Sequence, residues 1–153
     1  PYVTHRWLGG MLTNWQTISV RVRHLKKLEA QKADGGWDSL TKKERLLLDE
    51  EIIKLSKTFD GVRELTQLPD ALFVIDIPRE TIAIKEANHL KIPVIGMADS
   101  NANPEGLQYV IPANDDAVKS VALIANRIAM AASKGRMAYD AKTKSDKTEE
   151  QEG

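Results

Sequence analysis

Apolar residues recur at three- and four-residue steps in two successive segments, which is the spacing of a helix with one buried face. The first stripe consists of Trp15, Ile18, Val22, Leu25 and Leu28, and the second of Leu48, Ile52, Leu55 and Phe59. Capping boxes at Thr13–Gln16 and Thr41–Glu44 open the two helices, and glycines at 35–36 and 61 end them. The pattern therefore predicts an antiparallel helical hairpin over residues 13–61, shaped like a coiled-coil arm.

After Pro69 the pattern changes to short continuous apolar runs, which are typical of strands buried on both faces of a parallel sheet. Strands are predicted at Ala71–Ile75, Pro93–Met97 and Tyr109–Ile111, and helices at roughly 80–90 and from Asn114 to about Lys134. The last helix is expected to bury Val118, Val121, Ala122, Ala125, Ile128, Ala129 and Ala132. The order strand–helix–strand–strand–helix predicts an α/β domain with a mostly parallel sheet.

The pattern divides the chain into four parts. Residues 1–12 are the opening segment of the α/β domain, residues 13–61 the hairpin, residues 62–136 the rest of the α/β domain, and residues 137–153 a disordered polar tail. Three strands make a thin sheet, since a doubly wound domain usually has five or six. We therefore expect a fragment whose sheet is completed by preceding sequence.

The 153 residues carry 22 basic and 22 acidic side chains, so the net charge is zero. The distribution is uneven: residues 1–28 contain five bases and no acid, whereas residues 29–70 contain seven bases and ten acids, and residues 71–133 contain five and seven. Residues 134–153 contain five of each. Neutrality thus excludes a wholly basic RNA-coating protein, but it is compatible with a protein that contacts nucleic acid on one side.

The sequence excludes several classes of chemistry. Because it contains no cysteine, a disulfide scaffold, a cysteine-ligated zinc site and a thiol nucleophile are ruled out. No apolar run approaches the roughly 20 residues that a membrane helix needs. The usual glycine-rich nucleotide motifs and the GxSxG hydrolase motif are also absent. We therefore predict no membrane-spanning helix and no nucleotide or hydrolase site of these standard types.

The most unusual stretch precedes the first helix. Arg6, Trp7, Gly9, Gly10 and Asn14 combine a cation, an aromatic face and free backbone amides at a helix start, all of which suit contact with a phosphate backbone. The alternative is a strand end and turn, in which Trp7 packs in the core and the two glycines serve the bend.

Basic side chains also lie along the first predicted helix. They are Arg21, Arg23, His24, Lys26 and Lys27, and no acidic residue lies among them. Glutamates at four-residue spacing, which commonly neutralise a solvated helix face, are missing. The face either contacts phosphates or is an ordinary solvated surface, and the spacing leaves both interpretations open.

Three aspartates follow two of the predicted strands. Asp99 ends one strand and Asp115 and Asp116 follow the next, so all three are expected at the carboxyl-terminal sheet edge, where α/β domains bind ligands. Together they could hold zinc or another divalent cation, completed by His5 or by a group outside the chain. Alternatively, Asp99 lies in a turn and Asp115 or Asp116 caps the last helix. Beyond such a cation, the sequence calls for no cofactor.

Several blocks of the sequence resemble the family of the second small-subunit ribosomal protein of bacteria and organelles. The most specific block is Arg6-Trp7-Leu8-Gly9-Gly10-Met11-Leu12-Thr13-Asn14-Trp15. Further blocks cover residues 68–76, 83–88, 92–94, 99–101 and 111–117. Because the blocks are collinear and span about residues 2–136, they are far more specific together than any single motif.

The resemblance implies a structural protein of the small ribosomal subunit, on the ribosome of the cytoplasm or of an organelle. It implies no enzymatic activity, no membrane partner and no small-molecule substrate. It implies a Rossmann-like three-layer α/β domain with an inserted helical hairpin, from which the family's N-terminal portion is missing here. The implied partners are small-subunit ribosomal RNA and neighbouring small-subunit proteins, including the first one, which captures messenger RNA. It also implies a metal near Asp99, Asp115 and Asp116, with a histidine from the missing portion.

Two other functions stay open at this stage. One is a small-ligand or nucleotide-binding α/β domain that uses the sheet edge at Asp99 and Asp115. The other is a coiled-coil adaptor whose hairpin binds a protein partner, and this role is compatible with RNA binding by the rest of the chain.

Overall fold

A computed structural model describes the backbone of residues 1–152 and the side chains of residues 1–142. This part of the chain forms α1 (Trp15–Ala33), α2 (Lys42–Phe59), β1 (Leu72–Ile75), α3 (Thr81–His89), β2 (Val94–Ala98), β3 (Tyr109–Pro112) and α4 (Val118–Glu152). A single 3-10 turn, Asp60–Val62, follows α2. The predicted order of helices and strands is confirmed.

Helices α1 and α2 form the predicted hairpin. The apolar stripe of α1 is buried at Ile18, Val22, Leu25 and Leu28, because the three- and four-residue steps keep these side chains on one face. On α2, Phe59 is buried, and Leu48, Ile52 and Leu55 are half-buried. The capping box of α2 is confirmed: the Thr41 amide donates to the Glu44 carboxylate over 2.8 Å, and the Glu44 amide donates to the Thr41 hydroxyl over 3.4 Å.

The capping box predicted for α1 is wrong. Helix α1 begins after Asn14, whose side chain makes no capping bond to the helix backbone. The Asn14 side-chain oxygen instead accepts a hydrogen bond of 2.8 Å from the Thr17 hydroxyl. Thr13 lies one residue before the N-cap position, and its hydroxyl donates to Glu86 of α3 over 3.2 Å.

Strand β2 lies at the centre of a three-stranded parallel sheet, with β1 and β3 on either side. Val94 of β2 is in register with Leu72 of β1, and Ile95 with Tyr109 of β3. The α/β class and the parallel sheet are confirmed and fit a Rossmann-like fold with a helical insertion. The prediction that each strand is buried on both faces holds only for the centre: β1 has one buried residue, Val74, and β3 has none.

Two apolar clusters meet at the segment before α1. The cluster of the sheet contains Leu12, Val74, Ile77, Ile84, Ala87, Ile92 and Val94. The cluster of the hairpin contains Met11, Ile18, Val22, Leu25, Phe59 and Val62. Since Met11 and Leu12 are consecutive and Trp7 packs against both clusters, residues 7–12 join the hairpin to the sheet.

Helix α4 is longer than predicted. It continues past the expected end near Lys134, and residues 137–152, predicted as a disordered tail, are part of it; residue 153 lies outside the described residues. Gly135 does not stop the helix, since it does not adopt the positive φ that ends helices at glycine. The next turn is supported by an ion pair of 3.1 Å between Arg136 and Asp140, four residues apart.

The buried stripe predicted for α4 is also wrong. Val121, Ala125 and Ile128 are half-buried, but Val118 is 83% exposed. The other members of the predicted stripe, Ala122, Ala129 and Ala132, are exposed. The helical period places the stripe on one side as expected, but the described part of the chain offers that side too little surface to bury it. None of the described helices is long and apolar enough to cross a membrane.

Candidate nucleic-acid interface

The loop before α1 is fixed by a buried carboxylate. Glu86 of α3 is 8% exposed, and its Oε1 accepts a hydrogen bond of 2.6 Å from the Gly10 amide. Its Oε2 accepts bonds of 2.9 Å from the Leu12 amide and 3.0 Å from the Thr13 amide. The loop folds around this carboxylate because Gly10 adopts a φ of 91°, in the region that favours glycine. Residues 10–13 thus form an anion-binding nest that is filled from within the chain.

This arrangement sets the ionisation of Glu86. Burial raises the pKa of the carboxyl, but the hydrogen bonds from Thr13, Gly10 and Leu12 together outweigh it and lower the pKa below the ordinary glutamate value. Glu86 is therefore ionised at neutral pH, and its charge is distributed over three backbone donors and one hydroxyl.

The expectation that this loop presents free amides to phosphates is therefore wrong for most of it. The amides of Gly10, Leu12 and Thr13 bind Glu86, and the amides of Met11 and Asn14 donate to carbonyls within the loop. Gly9 is exposed, and no atom lies within 4 Å of where its Cβ would be. A phosphate can approach the loop closely at Gly9, whereas the nest itself is occupied.

Glu86 is not among the site residues that the sequence predicts, although one signal points to it. The residue lies between Ala83 and Ala87 on the side of α3 that is buried in the sheet cluster. A glutamate at such a position must find hydrogen-bond donors, since an unpaired buried charge is costly. The donors come from a segment more than 70 residues earlier in the chain, which periodicity cannot identify.

Trp7 is half-buried and packs against both apolar clusters. Its indole Nε1 is buried and has no hydrogen-bond partner among the described residues. This is the packing alternative of the sequence analysis. The neighbouring Arg6 is exposed and forms no ion pair in the described part of the chain. The loop therefore has an apolar residue directed inward and a cation at its surface.

The five basic side chains predicted for the interface, at positions 21, 23, 24, 26 and 27 of α1, are all exposed, but the fold brings acids to two of them. Lys26 forms an ion pair of 2.8 Å with Glu64, and His24 lies 3.0 Å from Glu51 of α2. The pKa of Glu64 is lowered, mainly by its hydrogen bond with Lys26. No acidic residue lies among these bases in the sequence, but the folded chain brings carboxylates to the same face from α2 and from the segment that follows it.

Arg21, Arg23 and Lys27 keep their charge unpaired within the described residues. Arg23 makes one weak hydrogen bond of 3.4 Å, to the Ser19 carbonyl of its own helix. Arg21 lines a shallow cleft on α1 together with Gln16, Thr17 and Val20. With Arg6, these side chains are the four cations of residues 1–28 that form no ion pair in the described chain, and we call this set the unpaired cations. Exposed cations without acidic partners are available for phosphate contacts.

The three aspartates do meet at the carboxyl-terminal edge of β2 and β3. One carboxylate oxygen from each of Asp99, Asp115 and Asp116 lies within 4.8 Å of the other two, and Asp99 and Asp115 are half-buried. The pKa of Asp115 is raised by burial and then by the negative charges of Asp99, Asp76 and Asp116. Oxygen ligands at this spacing fit a hard divalent cation, which would relieve the repulsion. No histidine belongs to this cluster in the described part of the chain.

The side chain that accepts hydrogen bonds just before α4 belongs to Asn114 rather than to an aspartate. The Asn114 side-chain oxygen accepts hydrogen bonds of 2.8 Å from the Asp116 amide and 2.9 Å from the Ala117 amide just before α4. In the described part of the chain no hydrogen bond joins an α4 amide to the Asp115 or Asp116 carboxylate, so the side-chain acceptor just before the helix is Asn114. Asp99 does occupy a turn, since its Oδ1 accepts a bond of 2.6 Å from the Ser100 amide.

A family model and individual known proteins identify the same group of similar proteins. The ribosomal protein S2 family matches residues 1–135. The small ribosomal subunit protein uS2 of Pseudoalteromonas translucida is 52% identical over 135 residues, which cover 88% of this chain and 56% of that protein. The protein of the same description from Hahella chejuensis is 54% identical over 129 residues, which cover 84% of this chain and 51% of that protein. The one from Vibrio cholerae is 53% identical over 135 residues, which cover 88% of this chain and 56% of that protein. The chain thus spans about half the length of these curated relatives.

Proposed function

This chain belongs to the ribosomal protein S2 family, and from that premise we propose that it is a structural component of the small ribosomal subunit that binds small-subunit ribosomal RNA. Its role is architectural rather than enzymatic, and its place is on the ribosome in the cytoplasm. The relatives' names support the small subunit, since they are small ribosomal subunit proteins.

One observation carries the RNA-binding part of the proposal. Arg6, Arg21, Arg23 and Lys27 are exposed and form no ion pairs in the described chain, although its acidic residues are as numerous as its basic ones. Lys43, Lys54 and Lys57 of α2 also lack ion pairs among the described residues, but acidic residues lie near them on the same helix, whereas residues 1–28 contain no acid. A group of exposed cations on a segment without acids is most simply explained by an external anion. RNA supplies one phosphate charge per nucleotide along a continuous backbone.

The residues of the interface have different roles in this proposal. The unpaired cations contact phosphates, and Gly9 allows the RNA backbone to approach the loop. Trp7 and Asn14 hold the loop and the start of α1 in place from the protein side. Lys26 and His24 contribute less, because Glu64 and Glu51 already neutralise part of their charge. Recognition then depends on shape and charge rather than on base contacts.

Competitive incorporation into small subunits tests this function. The variant Arg21→Glu/Arg23→Glu/Lys27→Glu is compared with the wild type and with the control Lys43→Glu/Lys54→Glu/Lys57→Glu, which makes the same change of net charge on exposed side chains of α2. We expect the α1 variant to be displaced from the subunits and the control to be retained. Equal incorporation of both variants would overturn the proposal.

The proposed protein partners are neighbouring small-subunit proteins, including the first small-subunit protein, with the hairpin as the docking arm. Leu46 and Ile53, seven residues apart on α2, are 59% and 68% exposed. Exposed leucine and isoleucine on one helix face are typical of a protein contact. Leu46→Lys/Ile53→Lys should reduce recruitment of the first small-subunit protein while subunit incorporation persists. Unchanged recruitment would contradict this role.

The proposal includes one divalent cation at Asp99, Asp115 and Asp116. These carboxylates supply oxygen ligands and repel one another without a positive charge between them. Titration with magnesium and with zinc should raise the thermal midpoint of the wild type more than that of Asp99→Asn. An equal response of the two proteins would remove the cation from the proposal.

A further inference from the structure

The side of α4 that faces away from its half-buried residues has a regular composition. Positions 119, 123, 127, 130, 134 and 137 follow one another at steps of three and four residues, so they lie on one face of the helix. We call this face the α4 ridge; its residues are Lys119, Leu123, Arg127, Met130, Lys134 and Met137. Cations and long apolar side chains alternate along it.

The apolar members of the α4 ridge are strongly exposed. Leu123 is 59% exposed, Met130 54% and Met137 70%. They are spaced by seven residues, the repeat of a helix seam, and their side chains form a narrow line. The half-buried Val121 and Ile128 lie on the opposite side of the helix, so burying them against more protein would leave the ridge outward.

The charge of the ridge is one-sided. From Val118 to Tyr139 the sequence contains four bases, Lys119, Arg127, Lys134 and Arg136, and no acid. Arg136, which lies off the ridge, pairs with Asp140. The three ridge cations form no ion pair in the described part of the chain. A partner that neutralises them must supply its own negative charges at matching intervals.

We propose that the α4 ridge is a docking surface for an acidic amphipathic helix of a protein partner. The apolar residues of that helix would cover Leu123, Met130 and Met137, and its flanking acids would pair with Lys119, Arg127 and Lys134. This is the helix-on-helix mode in which apolar residues at heptad spacing provide the contact and flanking charges select the partner.

Other occupants fit the ridge less well. An RNA backbone would pair with the cations but would leave the aligned apolar side chains in water. A membrane surface suits a broad apolar face with aromatic anchors, whereas this apolar line is one side chain wide. The proposal extends beyond the RNA-binding function, because it concerns another helix and does not use the unpaired cations.

The test uses a synthetic helical peptide of about three heptads, with leucine at the seam positions and glutamate beside them. Its affinity for the full chain is measured by fluorescence anisotropy. A second peptide replaces every glutamate by lysine, and a third scrambles the acidic sequence so that the seam is lost. The protein variants are Arg127→Glu/Lys134→Glu, which reverses ridge charge, and Leu123→Ser/Met130→Ser, which removes apolar contacts. All four substituted side chains are exposed, so we expect both variants to keep the fold.

We expect the wild type to bind the acidic peptide, and each variant to bind it about tenfold more weakly. The charge-reversed variant should instead prefer the lysine peptide, an exchange of preference that loss of structure cannot produce. Lys43→Glu/Lys54→Glu on α2 should bind like the wild type. Equal binding of the scrambled peptide, or absence of binding to the acidic one, would overturn the proposal. So would a loss of RNA affinity on reversing Arg127 and Lys134 as large as that caused by reversing Arg21, Arg23 and Lys27, since the ridge would then be an RNA surface.

Discussion

Two carboxylate sites show opposite ways of holding negative charge in this chain. Glu86 is buried beneath the loop before α1, and the surrounding donors lower its pKa. At the carboxyl-terminal edge of the sheet, Asp99, Asp115 and Asp116 lie within reach of one another, and the pKa of Asp115 is raised. The chain supplies hydrogen-bond donors to the carboxylate of the first site, whereas the carboxylates of the second site face one another.

The difference shows which site is structural and which is open to a ligand. Glu86 joins α3 to the loop and is satisfied without any external group. Any proton or cation that binds to the aspartate cluster reduces the repulsion between its carboxylates and so stabilises the fold. A low or high pKa alone would not separate the two roles. The identity of the neighbours does, because backbone amides stabilise a carboxylate permanently and other carboxylates do not.

Removing the Glu86 carboxylate should have the largest effect. Glu86→Ala leaves the amides of Gly10, Leu12 and Thr13 without their acceptor, and we expect a loss of about 3 kcal/mol in the free energy of unfolding. Chemical denaturation measures it, with Glu50→Ala on the exposed side of α2 as the control. A loss of unfolding free energy no greater than that of the control would show that Glu86 does not stabilise the loop.

Acid should destabilise the chain through Glu86 in particular. Because the pKa of Glu86 is lowered in the folded state, its contribution is complete above the ordinary glutamate pKa of about 4.3 and is lost as pH falls towards its folded pKa. Unfolding free energies measured from pH 7 down to pH 3 should therefore fall steeply for the wild type. The unfolding free energy of Glu86→Gln should be lower at pH 7 and should fall less steeply towards pH 3. An equally steep fall would show that Glu86 is not the group that titrates.

The aspartate cluster should respond to pH in the opposite direction and by less. The pKa of Asp115 is raised in the folded state, so its ionisation destabilises the fold as pH rises through that pKa. Asp115→Asn should therefore increase stability at pH 7 in the absence of divalent cations, compared with the control Asp70→Asn at an exposed site. A decrease in thermal midpoint would show that Asp115 is already held by favourable contacts.

The smallest effect is expected at Thr13. Thr13→Val removes the hydroxyl bond of 3.2 Å to Glu86 but leaves the backbone amide bond in place. Since Thr13 is exposed, the loss of unfolding free energy should be below about 1 kcal/mol. A loss as large as that of Glu86→Ala would show that the hydroxyl, rather than the three amides, holds the loop.

Local pattern predicted much of this fold, since the hairpin, the parallel sheet and the α2 capping box all follow from periodicity and short-range residue chemistry. It failed where distant segments meet. Thr13 was expected to cap α1, but its hydroxyl binds Glu86, and Lys26 lacked acids in sequence but pairs with Glu64.

Helix α4 shows a second limit of sequence patterns. Its apolar stripe has the same period as that of α1, yet Leu25 of α1 is fully buried and Val118 of α4 is 83% exposed. Periodicity indicates which side of a helix is apolar, and only the neighbouring elements decide whether that side is covered. For the candidate site, the sequence located the cations and the aspartate cluster, but not which cations lack partners.

If the unpaired cations bind ribosomal RNA phosphates, the affinity for RNA must depend strongly on salt concentration. The logarithm of the association constant for small-subunit ribosomal RNA is measured against the logarithm of salt concentration. We predict a steep negative slope for the wild type, reduced in magnitude by roughly two for Arg21→Glu/Arg23→Glu/Lys27→Glu and unchanged for Lys43→Glu/Lys54→Glu/Lys57→Glu. An affinity independent of salt, or equal slopes for the two variants, would show that these cations do not bind RNA phosphates.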